Sequence, residues 1–117
     1  MWLLEEHADY LDTLNFDDHD YLRFCRARTF VLDDVKTMLA NYIKWRKENE
    51  IDFIVDNFPQ NTVKGIMKYY EHGNHHIDKL NRPIFIIRVG DSDVHGLFKN
   101  HTIAEVEQES IYRFEIG

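Results

Sequence analysis

The spacing of apolar residues changes period near residue 72 of this chain, and that change limits the folds open to it. Up to about residue 70 the apolar positions recur every three or four residues, the interval that lines one side of an α-helix. From residue 84 they come as a dense, β-branched run, Ile84-Phe85-Ile86-Ile87-Arg88-Val89, closed by Gly90, which predicts a buried strand. Helices first and strands later predict an α+β chain leaning towards α/β.

Residues 2 to 14 place Leu3, Leu4, His7, Leu11 and Leu14 at helical spacing. Asp17 or Asp18 offers a side-chain oxygen to the free amides of a second helix, from about His19 to Arg28, with carboxylates at its start and arginines at its end to suit the dipole. The third helix carries the clearest stripe, Val35, Met38, Leu39, Tyr42, Ile43 and Arg46, with Asp33 or Asp34 where it begins and Asn49 near its close. Residues 51 to 57 read as one further helical segment, stopped by Pro59, and residues 62 to 70 as another. The character changes near residue 72. Two strands are predicted on either side of a turn at Lys79-Leu80-Asn81-Arg82-Pro83, where Asn81 tolerates the left-handed conformation and Pro83 opens the second strand. Beyond Gly90 a short helix over 94 to 99 is capped by Asp93, and Thr102-Ile103-Ala104-Glu105 is a capping box that opens a final helix.

At 117 residues, with 44% apolar and 14% aromatic content, there is room for one folded domain rather than a disordered tail. A formal charge of -7 argues against nucleic acid as a partner, because that binding draws on many lysines and arginines. The single cysteine, Cys25, has no internal disulfide partner and fits a reducing, cytosolic compartment. No apolar run approaches the roughly 20 residues that cross a bilayer, and Met1-Trp2-Leu3-Leu4 gives way at once to Glu5-Glu6, unlike a signal peptide. A sheet of one or two strands leaves Ile84 to Ile87 short of cover, so the chain is expected to be the front part of a larger α/β domain.

Against that acidic background, Arg23, Arg26 and Arg28 concentrate positive charge in Leu22-Arg23-Phe24-Cys25-Arg26-Ala27-Arg28-Thr29-Phe30. Two uses are open: bracing helix on helix through Asp17, Asp18, Asp33 and Asp34, or holding an anion such as a phosphate, for which a guanidinium at the corner, Arg28, is well shaped. His72, His75 and His76 with Asp78 suit zinc by residue type, but strand alternation sends His75 and His76 to opposite faces and no fourth ligand is evident, so no metal is expected. Cys25 reads as a small packer among Leu22 and Phe24, and Ser92 and Ser110 lack a nucleophile elbow. Phosphate-cradling glycine loops are missing as well, so neither an enzyme nor a cofactor is expected. Tyr42, Trp45, Tyr69 and Tyr70 read as core before they read as a ligand cavity.

These residues also carry a resemblance. The arginine segment up to Phe30, the helix ending Trp45-Arg46-Lys47, and Asp78-Lys79-Leu80-Asn81-Arg82-Pro83 leading into a strand closed at Gly90 together resemble the CRAL-TRIO lipid-binding family, of the phosphatidylinositol/phosphatidylcholine transfer type, from about residue 17 to 117. The resemblance implies a helical amino-terminal subdomain over 1–70 and, over 71–117, the start of a truncated α/β lipid-binding domain. It implies a cytosolic protein that extracts one phospholipid, such as phosphatidylinositol, shields it and docks transiently on membranes. Arg28 matches the family's basic residue implicated in contacting the inositol-lipid phosphate; the lysine that usually follows is Thr29 here. Two tyrosines associated with choline lipids fall at Asn74 and Phe85, the turn glycine at Asn81, and the acidic cap after Phe30 at Val31. The rival expectation is a protein-interaction module, or a fragment without function of its own, that takes a partner through the exposed strand.

Overall fold

The computed structural model describes residues 2–116, and side chains from His7 onward. The residues fall into two compact units, up to Asn49 and from Glu50 on.

The first unit is three helices: α1 (Trp2–Thr13), α2 (Asp18–Ala27) and α3 (Leu32–Glu48). The expected first helix is present, with Leu11 fully buried and Leu14 half-buried; the side chains of Leu3 and Leu4 lie outside the described residues. Asp17 caps α2 by accepting the Asp20 amide at 3.0 Å, while Asp20 Oδ2 accepts the Asp17 amide at 3.1 Å. That reciprocal bond from the Asp17 amide, with Arg23 beside it, holds the Asp20 carboxyl below its usual range. The stripe on α3 packs as its spacing predicts: Val35, Leu39 and Ile43 join Leu11 and Phe24 in one core, and Cys25 and Tyr42 pack around it. The start of α3 differs from the expectation. Val31 is the cap residue and offers no side-chain oxygen, while Asp33 and Asp34 sit inside the first turn, where their charge still faces the positive end of the helix.

In the second unit a 3-10 turn (Ile51–Phe53) precedes α4 (Ile54–Asn57), so the segment expected as one helix is broken in two. Pro59 then precedes α5 (Gln60–Met67), two residues earlier at its start than predicted. β1 (His72–Ile77) pairs antiparallel with β2 (Pro83–Ile87), followed by a 3-10 turn (Val89–Asp91), α6 (Val94–Asn100) and α7 (Ile103–Ile116). Asp93 caps α6 through the Gly96 amide, and the Thr102/Glu105 box closes on α7 with bonds of 3.1 and 3.2 Å. A small core of Phe58, Val63 and Tyr112 ties α5 to α7, and the Gln60 amide donates to the Tyr112 hydroxyl at 3.1 Å.

The hairpin turn is built by one carboxylate. Asp78 Oδ1 accepts the amides of Leu80 and Arg82 at 2.8 and 2.9 Å, Oδ2 accepts Arg82 Nε at 2.7 Å, and Asn81 takes the expected left-handed conformation at φ 62°. Two expectations fail here. The register breaks between Asn74 and Ile77, with His76 at φ 61°, so the rings of His75 and His76 come together at 4.1 Å instead of alternating. The run expected as a buried strand is largely open: Ile84, Ile86 and Ile87 are 39 to 42% exposed and Phe85 alone is half-buried. The cause is the sheet order, β1-β2 with nothing further, among the described residues.

Candidate functional site

Arg28 follows the last residue of α2, and its backbone amide bonds the Cys25 carbonyl at 3.3 Å. Its guanidinium donates to the Ala27 carbonyl at 3.0 Å and faces water with no carboxylate partner among the described residues. Arg26 is likewise exposed and has no ion pair there. Arg23 does pair, with Asp20 at 2.7 Å, and not with any of the four aspartates named for bracing. Asp33 meets Lys36 at 4.0 Å instead. The corner that carries Arg28 is unusual in its backbone. Thr29 and Phe30 are both left-handed, at φ 49° and 60°, a conformation costing roughly 1 to 2 kcal/mol for each such residue. A ladder of short bonds holds it: Thr29 N–H to Arg26, Phe30 N–H to Cys25 at 2.8 Å, and Val31 N–H to Arg28 at 3.0 Å.

A second constellation lies in the other unit, between the hairpin and α7. A cleft of about 110 Å³ is lined by Tyr70, His72, Phe85 and Ile87 on one side and Ser110, Arg113 and Phe114 on the other. Its wall is aromatic, with the Phe85 and Phe114 rings tilted against each other at 5.4 Å and His72 near Phe85 at 5.8 Å. At its floor His72 Nε2 lies 3.0 Å from Glu109 Oε2, and Glu109 Oε1 accepts Arg113 Nη2 at 3.1 Å. His72 Nδ1 is 2.8 Å from the Tyr70 carbonyl, which only accepts, so that nitrogen carries hydrogen. His72 Nε2 thus faces the Glu109 carboxylate across 3.0 Å with both side chains buried.

The histidines therefore do not form the metal cluster weighed from the sequence: His72 is buried, whereas His75 and His76 are exposed on the bulge. Among the described residues no group of three or more His, Cys, Asp or Glu converges on one point. The four aromatics weighed as a stripe are divided between the units. Tyr42 packs on Phe24 at 5.2 Å, Trp45 is 42% exposed, and Tyr70 lines the cleft. The register sets Asn74 directly opposite Phe85 across the hairpin. Glu109, Arg113 and Phe114 were not singled out from the sequence; the i,i+4 spacing of Glu109 and Arg113 was the one available signal.

Comparison with known proteins agrees with the motifs. No family model matches the chain. It is 36% identical over 107 residues to phosphatidylinositol/phosphatidylcholine transfer protein SFH9 of Arabidopsis thaliana, covering 92% of this chain and 18% of that protein. It is 43% identical over 84 residues to Protein real-time of Anopheles gambiae, covering 72% of this chain and 12% of that one. A cytosolic factor of Schizosaccharomyces pombe is 33% identical over 104 residues, which is 89% of this chain and 36% of the relative. The chain thus spans about a fifth of the length of the Arabidopsis transfer proteins it matches, 18% of SFH9 and 20% of SFH7. Over nine-tenths of its length the chain is thus similar to phosphatidylinositol/phosphatidylcholine transfer proteins, consistent with the amino-terminal portion of a CRAL-TRIO protein.

Proposed function

We propose that this chain is part of a phospholipid-binding and transfer protein, which takes up a single lipid such as phosphatidylinositol and presents it at membranes without catalysing a reaction. Residues 1–70 serve as its helical amino-terminal subdomain and 71–117 as the start of the lipid-binding domain. The observation that carries the reading is Arg28: a guanidinium at the corner after α2, exposed and without a carboxylate partner among the described residues, at a position that by resemblance matches the family's phosphate-contacting basic residue. Holding a lipid outside a bilayer requires apolar shelter worth about 0.8 kcal/mol per methylene, and the half-open aromatic cleft beside α7 contributes only a small part of such a shelter. A cytoplasmic location with transient membrane contact goes with this reading; the Schizosaccharomyces relative is named a cytosolic factor, and no described helix is long and apolar enough to cross a membrane.

Mass spectrometry of lipids that copurify with the protein tests the assignment. Arg28→Ala should deplete inositol lipid preferentially while Arg28→Lys retains part of it, and equal lipid content in all three proteins rejects the role. The exposure of Ile84 and Ile86 favours one second reading, a protein partner adding to the sheet through β2. Stable capture of a polypeptide that is lost on Ile86→Lys, with no copurifying lipid, would favour it.

A further inference from the structure

Beside Arg26 and Arg28, which have no ion pair among the described residues, the same corner exposes three consecutive large apolar side chains: Phe30 at 64%, Val31 at 48% and Leu32 at 59%. Such residues ordinarily turn inward, and the α2/α3 core lies close by in sequence, at Phe24 and Val35. The backbone keeps them out. Phe30 in the left-handed region is a true outlier for a bulky residue, and its amide is pinned to the Cys25 carbonyl at 2.8 Å, so the ring is presented from a stiff turn rather than a loose loop. The charge around it is mixed with a positive excess: Arg26 and Arg28 have no carboxylate partner among the described residues, Lys36 lies 4.0 Å from Asp33, and Asp34 is the remaining acid of the first turn of α3.

We infer that the Phe30-Val31-Leu32 corner is a membrane-contact wedge, which inserts its apolar side chains at the headgroup boundary of an anionic bilayer while Arg26 and Arg28 engage lipid phosphates. Apolar burial and local attraction to anionic lipid are each modest; together they give reversible docking, which suits a protein that must leave again. An overall charge of -7 adds a repulsion that keeps the contact local and brief. The inference rests on the phospholipid reading above and adds to it the element that meets the surface.

Flotation of the protein with phosphatidylcholine vesicles, with and without phosphatidylserine, tests it. Phe30→Gly is the informative variant, because glycine relieves the left-handed strain and removes the ring, so the fold is favoured while the wedge is blunted. Partition onto phosphatidylserine-containing vesicles should fall about tenfold in Phe30→Gly, fall again with Leu32→Ser, and weaken in Arg26→Gln more at low salt than at high. Unchanged partition in Phe30→Gly, or equal binding to vesicles lacking phosphatidylserine, overturns the wedge and leaves the corner to a protein partner. Lipid content read by mass spectrometry separates the two ideas. Normal lipid loading with unchanged flotation sinks the wedge alone, whereas loss of the lipid reading appears as no copurifying phospholipid in the parent protein.

Discussion

His72 Nε2 and Glu109 Oε2 stand 3.0 Å apart with side chains 3% and 1% exposed, joining the first residue of β1 to the middle of α7. Such a pair is weak evidence for added stability but expensive to halve, since the survivor keeps a buried charge or proton without a partner. Glu109→Leu strands both His72 and Arg113 and should lower stability by about 3 to 5 kcal/mol. His72→Leu combined with Glu109→Leu should cost clearly less than the sum of the single changes, as read from urea unfolding in a double-mutant cycle.

The Asp78 turn should show its chemistry in acid. The Arg82 amide, then the Arg82 side chain and the Leu80 amide, hold the Asp78 carboxyl below the usual value of 3.8. A lowered folded value means that the stabilisation is present above the unfolded value and is lost as pH falls through the folded one. The amide resonances of Leu80 and Arg82 should therefore titrate together with a midpoint below 3.8, and the titration should vanish in Asp78→Asn.

Alanine at Gly65 sets two effects against each other. Helix propensity alone would favour alanine in α5 by about 1 kcal/mol. A Cβ there would lie 2.9 Å from Cε1 of His101, whose ring is held by Glu105 at 3.1 Å and cannot simply swing away. The clash should win, with a net loss of about 1 kcal/mol in thermal unfolding, and His101→Ala in the same chain should reverse its sign.

Capping of α2 gives a smaller and separable effect. Asp17→Ala removes the acceptor for the Asp20 amide and should cost about 1 kcal/mol, while Asp17→Asn should be close to neutral because its amide oxygen caps equally well. Helicity followed by circular dichroism through urea unfolding distinguishes the two.

Where a structural decision was local, the sequence carried it. The Asp17 cap, the Thr102/Glu105 box, the Asp93 cap, the stripe of α3 and the left-handed Asn81 each depend on residues within one turn of one another, and each formed as its chemistry required. Decisions that depend on what lies across the fold did not show. Burial of Ile84 to Ile87 was inferred from composition, but composition reports how much cover a strand wants rather than how much it receives. The bulge at His75 and His76 breaks alternation through a backbone angle that no spacing rule anticipates. His72 was weighed as a metal ligand because its partner, Glu109, is remote along the chain and became visible only when α7 folded against the hairpin. The corner position of Arg28 was legible from the sequence, whereas the aromatic cleft needed three separate elements to be placed together.

In the hairpin each strand has one bonded flank and one wet one. Amide protons on the outward flanks of β1 and β2 have no strand partner among the described residues, so deuterium should replace them faster than those of the shared ladder. Those on the shared ladder, and those of Leu80 and Arg82 clasped by Asp78, should outlast them.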